Sequence, residues 1–580
     1  MDQKNLFLAI AISLAILIGF QYILPHPARH NAAPTPTATA PKPAGMVAMT
    51  PQDAGQAPIP PPAEVPREKI EAPRVQGSIS LLGGRLDDLV LRDFRETLAP
   101  NSPLVRLLEP RGAPQPYYVQ FGWSAADPAV KLPGNDTVWT GPATALAPGK
   151  PAVLQWDNGA GMVFSIEVAV DDDFMFTVTQ KVHNATGAAV AVTPWQRIRR
   201  DYTPQVAGYY ILHEGLLGVF DGRLKEMKYA AVKSDGAKND GLALSESTSS
   251  AWAGITDKYW LTALAPPDGT PTVAEFTHTE NKLADGTVAD GYQVAFRPQQ
   301  AQNVAPGGDA AQLTRVFAGA KEVRLLDRYE AQYQIRGFWR AVDFGWFSFI
   351  TRPFFFALDW LFHLTGNFGV AILIFTLALK LAFFPLANRS YRAMSKMKLL
   401  GPKMTALREQ YKDDPAKLQS AMMGLYKSEK VNPASGCLPM LLQIPVFFSL
   451  YKVIFVTIEM RHAPFFGWIH DLSAVDPTNI FNLFGLIPFD PTAILPMLHL
   501  GAWPIIMGFT MFFQQKLNPP PPDPMQARLF QFMPLIFTFM LARFPAGLVI
   551  YWSWNNLLTI GQQWLIMRQT RLAKPGLARP

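Results

Sequence analysis

Two patterns of apolar and polar residues divide the chain. Six long apolar runs approach or reach the length of about 20 residues that a helix needs to cross a bilayer; they lie at residues 6–24, 368–385, 438–457, 493–513, 529–544 and 548–567. Residues 74–337 instead alternate in short segments, as where Phe174, Phe176 and Val178 share one face of a strand. The pattern predicts a polytopic α-helical membrane protein with six spans, a five-helix core and a large antiparallel β-sandwich domain.

The remaining segments connect these regions. Residues 25–73 are rich in proline and alanine and have few apolar groups to bury, which predicts an extended spacer. Trp346, Phe349 and Trp360 recur at helical steps, which predicts an amphipathic helix in the membrane interface. The predicted domains are a signal-anchor helix at 1–24, the spacer at 25–73, the β-domain at 74–337, the interfacial helix at 338–365, the core at 366–567 with a hairpin at 387–432, and a basic tail at 568–580.

The first apolar run has two interpretations. It is long for the core of a signal peptide, and it ends in the bulky residues Tyr22, Ile23 and Leu24, so an uncleaved anchor is favoured. If the run is a cleaved signal peptide instead, Ala32-Ala33 is the best site for cleavage.

Charge orients the predicted spans. The formal net charge is +7, and residues 387–432 hold ten Lys and Arg against four Asp and Glu, a local excess of +6. Because cytoplasmic loops carry an excess of cations, this hairpin is predicted to be cytoplasmic. Six crossings then place both termini in the cytoplasm and the β-domain in the periplasm. The one cysteine, Cys437, excludes an internal disulfide.

Lys380 stands within the second apolar run. A cation at the bilayer centre costs about 2.5–3.5 kcal/mol on insertion scales, so its presence needs a reason. Lys380 lies about 7–8 Å before Pro385 at ~1.5 Å per residue, and its ammonium could extend from there to the headgroups. Alternatively, Lys380 supplies the charge of a hydrated cavity between helices. Its inner-leaflet position beside the basic hairpin favours the second interpretation.

Polar side chains also occur inside the other spans. Thr376 shares the run of Lys380, and the later spans contain Gln443, Ser449, Ser553, Asn555, Asn556, Thr559, Gln562 and Gln563. Each by itself is typical of hydrogen bonding between membrane helices. Together with Lys380 they could line a hydrophilic cavity.

The basic hairpin is predicted to contain two helices with many methionines. Met394, Met397 and Met404 share one face of the first helix, and Met422 and Met423 lie in the second. One interpretation is packing between the two helices. The other is an adaptable surface for varied apolar clients, because methionine side chains are flexible and polarizable.

The sequence offers little for covalent chemistry. It contains no metal-ligand cluster, nucleophile elbow or phosphate-binding loop that we can recognise. We therefore predict no enzyme activity, no cofactor and no nucleic-acid specificity. A secondary transporter with an intramembrane cationic site is the main alternative, although the core lacks the repeated halves usual in transporters.

Several stretches carry a resemblance to a known family. They are MDQKNLFLAIAISLAILIGFQ at the start, LKLAFFPLANRSYRAMSKMKLLGPKM, LYKSEKVNPASGCLPMLLQIPVFFSLY, RHAPFFGWIHDLSAVDP and DPMQARLFQFMPLIFTFMLARFPAGLVIYWSWNNLLTIGQQWLI. In these stretches the chain resembles the bacterial YidC membrane protein insertases of the YidC/Oxa/Alb family. The resemblance is very specific from residue 343 to residue 567 and weaker across the β-domain.

The resemblance implies a function and partners. Family members move transmembrane segments of nascent proteins into the inner membrane, alone or with the Sec translocon, through a hydrophilic groove open to cytoplasm and lipid. It implies that Lys380 is the groove cation, where many relatives have Arg, and that Thr376 and Trp552 touch the client. Gln443 and Asn556 complete the predicted groove set. The implied partners are nascent membrane proteins, the Sec translocon, the lipid bilayer and, weakly through the short basic tail, the ribosome.

Overall fold

The computed structural model describes most of the chain after residue 64. The described residues are 65–142, 144–206, 212–282, 288–412, 414–429, 438–493, 498–518 and 524–572. The predicted signal anchor, most of the predicted spacer and the end of the basic tail lie outside these ranges.

Eighteen strands form two antiparallel sheets within the described residues. The larger sheet runs β1-β2-β3-β5-β9-β16-β15-β12, with β4 on β3 and β17 on β9. The smaller runs β11-β10-β13-β14-β18-β8-β7-β6. The strands are β1 (Arg67–Glu71), β2 (Val75–Ser80), β3 (Arg85–Arg95), β4 (Leu104–Leu108), β5 (Tyr117–Ala125), β6 (Ala152–Asp157), β7 (Met162–Val170), β8 (Met175–Asn184), β9 (Val190–Arg200), β10 (Gly215–Phe220), β11 (Arg223–Met227), β12 (Leu242–Thr248), β13 (Ala251–Thr256), β14 (Trp260–Ala265), β15 (Thr272–Lys282), β16 (Val288–Pro298), β17 (Gln302–Val304) and β18 (Asp309–Ala320).

Strict alternation places the core of the β-domain between the sheets. Along β7, Phe164 and Ile166 are fully buried, and Phe164 pairs with Val182 of β8 on the same face. The predicted antiparallel β-sandwich is therefore present. Its predicted start is wrong by seven residues, because β1 already pairs with β2 and buries Ile70. Only six residues separate Pro66 from Pro73, which is too short a run for the alternation to be recognised in the sequence.

Eleven helices are described, one inside the β-domain and ten after its last strand. They are α1 (Tyr229–Gly236), α2 (Val323–Tyr333), α3 (Ser348–Thr365), α4 (Phe368–Ala382), α5 (Phe384–Leu399), α6 (Gly401–Gln410), α7 (Pro415–Ser428), α8 (Leu438–Val456), α9 (Ala502–Leu517), α10 (Pro524–Leu541) and α11 (Ala546–Leu572).

Three predicted helix boundaries need correction. The interfacial helix begins at Ser348 and not at residue 338, because a separate short 3-10 turn occupies Phe338–Ala341. The fourth predicted span begins at Ala502 and not at residue 493, since polar contacts of the preceding loop cap the helix there. Residues 323–333, assigned to the β-region, form α2.

No single described helix is both long and apolar enough to cross a bilayer, while Phe368–Ala382 and Phe384–Met394 meet these criteria together across a bend of 67°.

Polar contacts join the β-domain to the helical part. Lys452 of α8 forms an ion pair at 2.9 Å with Asp343, whose carboxylate also accepts the His213 amide of the β-domain at 3.1 Å. Tyr259 donates to the Ser473 hydroxyl at 3.3 Å. Arg461 donates to the backbone carbonyl oxygen of Arg95 at 2.7 Å. The end of α8 that precedes Arg461 therefore lies beside the β-domain.

Candidate functional site

Lys380 lies in the last turn of α4. This helix begins after Asn367, whose side chain accepts the Val370 amide at 3.1 Å. It ends at Ala382, just before the bend into α5. A cation in the last turn interacts favourably with the carbonyl end of the helix. The Lys380 ammonium donates to the Thr559 hydroxyl of α11 at 2.8 Å, which fixes it between the two helices.

A cavity of about 50 Å³ lies at this ammonium. Its polar lining comes from four helices: Thr376 and Lys380 of α4, Tyr391 of α5, Gln443 of α8, and Tyr551, Asn555 and Gln562 of α11. Leu379, Phe383 and Val446 supply apolar walls. The cavity is thus a polar space within an apolar bundle.

Hydrogen bonds order the polar lining. Gln443 donates its amide to the Tyr551 hydroxyl. Thr559 donates to the Asn555 carbonyl oxygen at 2.7 Å, which leaves its lone pairs to accept the Lys380 ammonium. Among the described residues, no carboxylate forms an ion pair with Lys380. Its positive charge is therefore available to an anionic group that enters the cavity.

Some polar groups near the cavity have no hydrogen-bond partner in the described part of the chain. They are Gln562 Nε2, which belongs to a lining residue, and Asn388 Oδ1 on α5. Buried polar atoms are nearly always paired, with protein or with water. These atoms and the half-buried ammonium give the cavity the capacity to hold water or polar groups of a client.

The structure separates the predicted groove residues into two groups. Lys380, Thr376 and Gln443 line one cavity. Trp552 and Asn556 do not line it. Trp552 packs edge-on against Phe447 at 4.7 Å between ring centroids.

Helix geometry explains this division. Successive residues of a helix are rotated by about 100°, so residues one position apart face different neighbours. Tyr551 and Asn555 face the cavity, whereas Asn556 donates to the Thr510 hydroxyl of α9 at 3.1 Å. Trp552 faces α8 and α10 instead, beside Phe447 and Phe537.

Two cavity residues, Tyr551 and Tyr391, were not predicted, whereas Asn555 and Gln562 belong to the polar span residues that were expected to line a cavity with Lys380. A polar stripe runs along α11 at steps of four, four and three residues, through Tyr551, Asn555, Thr559 and Gln562. That spacing places them on one face of a helix and would have identified the stripe. No local signal indicated Tyr391, because its position depends on the bend between α4 and α5.

The hairpin methionines divide in the same way. Met404 is buried with Leu400, and Met397 and Met422 pack against this pair, as the packing interpretation predicts. Met423 is 49% exposed, and Met394 is half-buried. The hairpin has three helices, α5, α6 and α7, where two were predicted, because Gly401-Pro402 begins a new helix.

Comparisons with known proteins identify the family. Residues 67–357 match the family model for the YidC periplasmic domain, and residues 360–574 match that for the 60Kd inner membrane protein. A membrane protein insertase YidC from Granulibacter bethesdensis is 62% identical over 100% of both chains. The chain belongs to the YidC family of membrane protein insertases.

The chain is also similar to one further relative and to one solved structure. A membrane protein insertase YidC from Acidiphilium cryptum is 55% identical over 88% of this chain and 86% of its own. A solved structure of an active YidC insertase covers 86% of this chain and 94% of its own, at 17% identity and a TM-score of 0.34.

Membership of the YidC family confirms the predicted family and the predicted fold class. The protein is a polytopic inner-membrane protein with a periplasmic antiparallel β-domain. The insertase function predicted from the resemblance is confirmed with it, and the alternative of a secondary transporter is not supported. The family is not one of classical enzymes.

Proposed function

We propose that the cavity around Lys380 receives the polar end of a client segment during membrane insertion. The observation that carries this proposal is a cation in a polar cavity formed by α4, α5, α8 and α11, with no carboxylate partner among the described residues. A client carboxylate would complete the ion pair. The ammonium would therefore draw an acidic tail into the inner leaflet.

The apolar part of the client lies against a neighbouring surface. Trp552, Phe447 and Phe537 form an aromatic cluster on the next face of α11. A client helix on this cluster would place its polar tail beside the cavity. Trp552 thus remains a proposed client contact, through apolar packing. Asn556 instead supports the position of α9.

The energy of insertion comes from the client. Burying each CH₂ group of the client in lipid contributes about 0.8 kcal/mol, so a whole span needs no nucleotide to drive it. A polar cavity in the inner leaflet shortens the hydrocarbon path of the client's polar tail. We therefore expect no covalent catalysis, no cofactor and no nucleic-acid specificity.

The basic hairpin is the proposed first contact for clients on the cytoplasmic side. Met423 and Met394 are the accessible members of the methionine set, while Met397, Met404 and Met422 hold the helices of the hairpin together. The same proposal includes a cytoplasmic location of both termini and cooperation with the Sec translocon. It also keeps those predicted domain boundaries that were not corrected above. Weak ribosome binding by the basic tail belongs to it as well.

The experiment is insertion into liposomes containing only the purified protein. A single-span client with an acidic tail should insert without ATP, and protease protection measures the inserted fraction. A photoreactive residue in place of Tyr551 should cross-link to the client's tail. The same residue in place of Trp552 should cross-link to its apolar segment.

The cross-linking pattern decides the proposal. If both positions cross-link to the same part of the client, the tail and the apolar segment do not use the separate surfaces described above. If protein-containing liposomes insert the client no faster than empty ones, the cavity does not serve insertion.

A further inference from the structure

The loop between α8 and α9 has an exposed apolar tip at residues 480–489. The tip contains seven large apolar side chains, each at least 38% exposed, with a maximum of 84% at Leu486. Residues 477–489 contain no charged residue. Loops in water usually carry polar turn residues, so this loop has the opposite character.

The base of the tip is fixed to the rest of the protein. Asn479 donates to the Leu498 carbonyl oxygen at 2.7 Å, and the Ile480 amide donates to that of Leu500 at 2.9 Å. The Asp476 carboxylate accepts the amide of Trp503 at the start of α9, at 2.8 Å. The tip is therefore held by a rigid polar base.

Hydrogen bonds within the tip satisfy many of its backbone donors. The Phe484 amide donates to the Asn479 carbonyl oxygen at 2.8 Å, and the Ile487 amide to that of Asn482 at 3.1 Å. The Gly485 amide donates to the Asn482 side chain at 2.9 Å. Proline at position 488 has no amide donor. Internal pairing of backbone donors is what a segment needs in hydrocarbon, because lipid offers no partner.

Two bulky residues of the tip have left-handed backbone conformations. The φ angles are 51° at Leu483 and 59° at Phe484. This region is unfavourable for side chains larger than glycine, and it persists only where the surroundings stabilise it. Both side chains are more than half exposed, so side-chain packing within the described part of the protein supplies little of that stabilisation.

The tip lies at the periplasmic end of the helical core. The loop that carries the tip follows α8, and Arg461, just after α8, donates to Arg95 of the β-domain. Ser473 of the same loop accepts a hydrogen bond from Tyr259 of the β-domain. The β-domain of the family is periplasmic. Since α8 and α9 flank the loop, the outer leaflet is the apolar phase next to the tip.

We propose that residues 480–489 insert into the acyl region of the periplasmic leaflet. Lipid acyl chains are the ligand of the exposed Leu483, Phe484 and Leu486. Asp490, whose carboxylate accepts the Thr492 hydroxyl at 2.6 Å, marks the return of the chain to the headgroups. This contact is independent of the cavity at Lys380 and anchors the periplasmic ends of α8 and α9 in the bilayer.

The experiment uses the full-length protein in phosphatidylcholine–phosphatidylglycerol vesicles. Cys437→Ser removes the native thiol, and Leu486→Cys carries the environment-sensitive fluorophore NBD. Val138→Cys is the matched control, since Val138 is an apolar β-domain residue that is 57% exposed. Val138 lies away from the helical part of the protein. It pairs with Leu82, which follows the C-terminal end of β2, whereas Arg74, before the other end of β2, donates to Glu322 next to α2.

The expected result is blue-shifted emission at position 486. Spin labels on lipid acyl chains should quench it at least about twofold more strongly than at position 138, as for an interfacially buried group. Leu483→Ser, with the label kept at 486, should shift the emission toward that in water.

Two results would overturn the proposal. One is equal quenching of both positions by aqueous iodide, which would place the tip in water. The other is protection of position 486 from iodide without quenching by lipid spin labels, which would assign the tip to contact between protein copies. A fluorophore at position 486 alone is sufficient for this decision if Leu483→Ser fails to fold.

Discussion

Removing the charge of Lys380 should slow insertion of acidic clients specifically. The ammonium is half-buried, donates to Thr559 and pairs with no carboxylate among the described residues. The effective dielectric constant at this site is taken as about 40, between ~20 near a protein surface and ~80 in water. At about 6 Å from the ammonium, a client carboxylate then gains about 1.4 kcal/mol of Coulomb attraction. That free energy corresponds to about a tenfold change in an equilibrium constant. Lys380→Ala should therefore slow insertion of an acidic-tailed client about tenfold.

The assay compares two clients that differ at a single tail residue. Purified variants in liposomes receive a single-span client with Asp in its tail or the same client with Asn. Lys380→Arg keeps the charge and should retain wild-type rates. Lys516→Ala is the matched control, because Lys516 lies in the last turn of α9 and contacts the Phe512 ring instead of the cavity. Added salt should reduce the difference between the clients, because it screens the charge.

The reasoning has two clear refutations. If Lys380→Ala slows the Asp and Asn clients equally, Lys380 supports the structure of the cavity and does not attract charge. If Lys380→Ala inserts the Asp client at the wild-type rate, the electrostatic mechanism is wrong for this protein.

Three further predictions concern the groove and the β-domain. Thr559→Val removes the acceptor of the Lys380 ammonium, and since water can replace part of that bond we expect roughly threefold slower insertion of the Asp client. Asp257→Asn removes the negative charge beside the buried Arg200 guanidinium, which donates two hydrogen bonds of 2.7 Å to the Asp257 carboxylate. The change should cost about 3–5 kcal/mol of β-domain stability. Glu167→Gln, in an exposed ion pair, should cost less than about 1 kcal/mol in the same thermal unfolding measurement. Burial lowers the pKa of His213 from 6.5 to about 4, so the unfolded chain binds a proton there before the folded one. The stability that neutral His213 contributes should thus be fully present above about pH 6.5 and should fall as the pH decreases toward 4, by about 2 kcal/mol at pH 5. His213→Gln should remove this part of the dependence of unfolding free energy on pH.

Each of these predictions can fail in a specific way. Thr559→Val would contradict the positioning role if it slowed the Asn client as much as the Asp client. Equal thermal shifts for Asp257→Asn and Glu167→Gln would mean that burial does not set the cost of losing the pair. An unchanged acid slope in His213→Gln would assign the acid sensitivity to other groups.

Regions with a strong and regular pattern were predicted well from the sequence. The alternation of Phe174, Phe176 and Val178 predicted strands, and these side chains are buried between the two sheets. The weak signals are those that were missed or misplaced. Residues 67–71 form a strand because β2 pairs with them, and α2 interrupts an apparent β-region because its buried face packs on the domain.

The sequence by itself determined which chemistry the core contains. It holds a cation within an apolar run, polar side chains in the facing spans and a basic hairpin, and these follow from composition and period alone. Only the tertiary structure decided which of them meet. A difference of one position on α11 places Tyr551 in the cavity and Trp552 against Phe447, because helix rotation combines with the packing of α4 and α8 to select one face. Hydropathy gives the character of each helix, and the contacts between helices give the site.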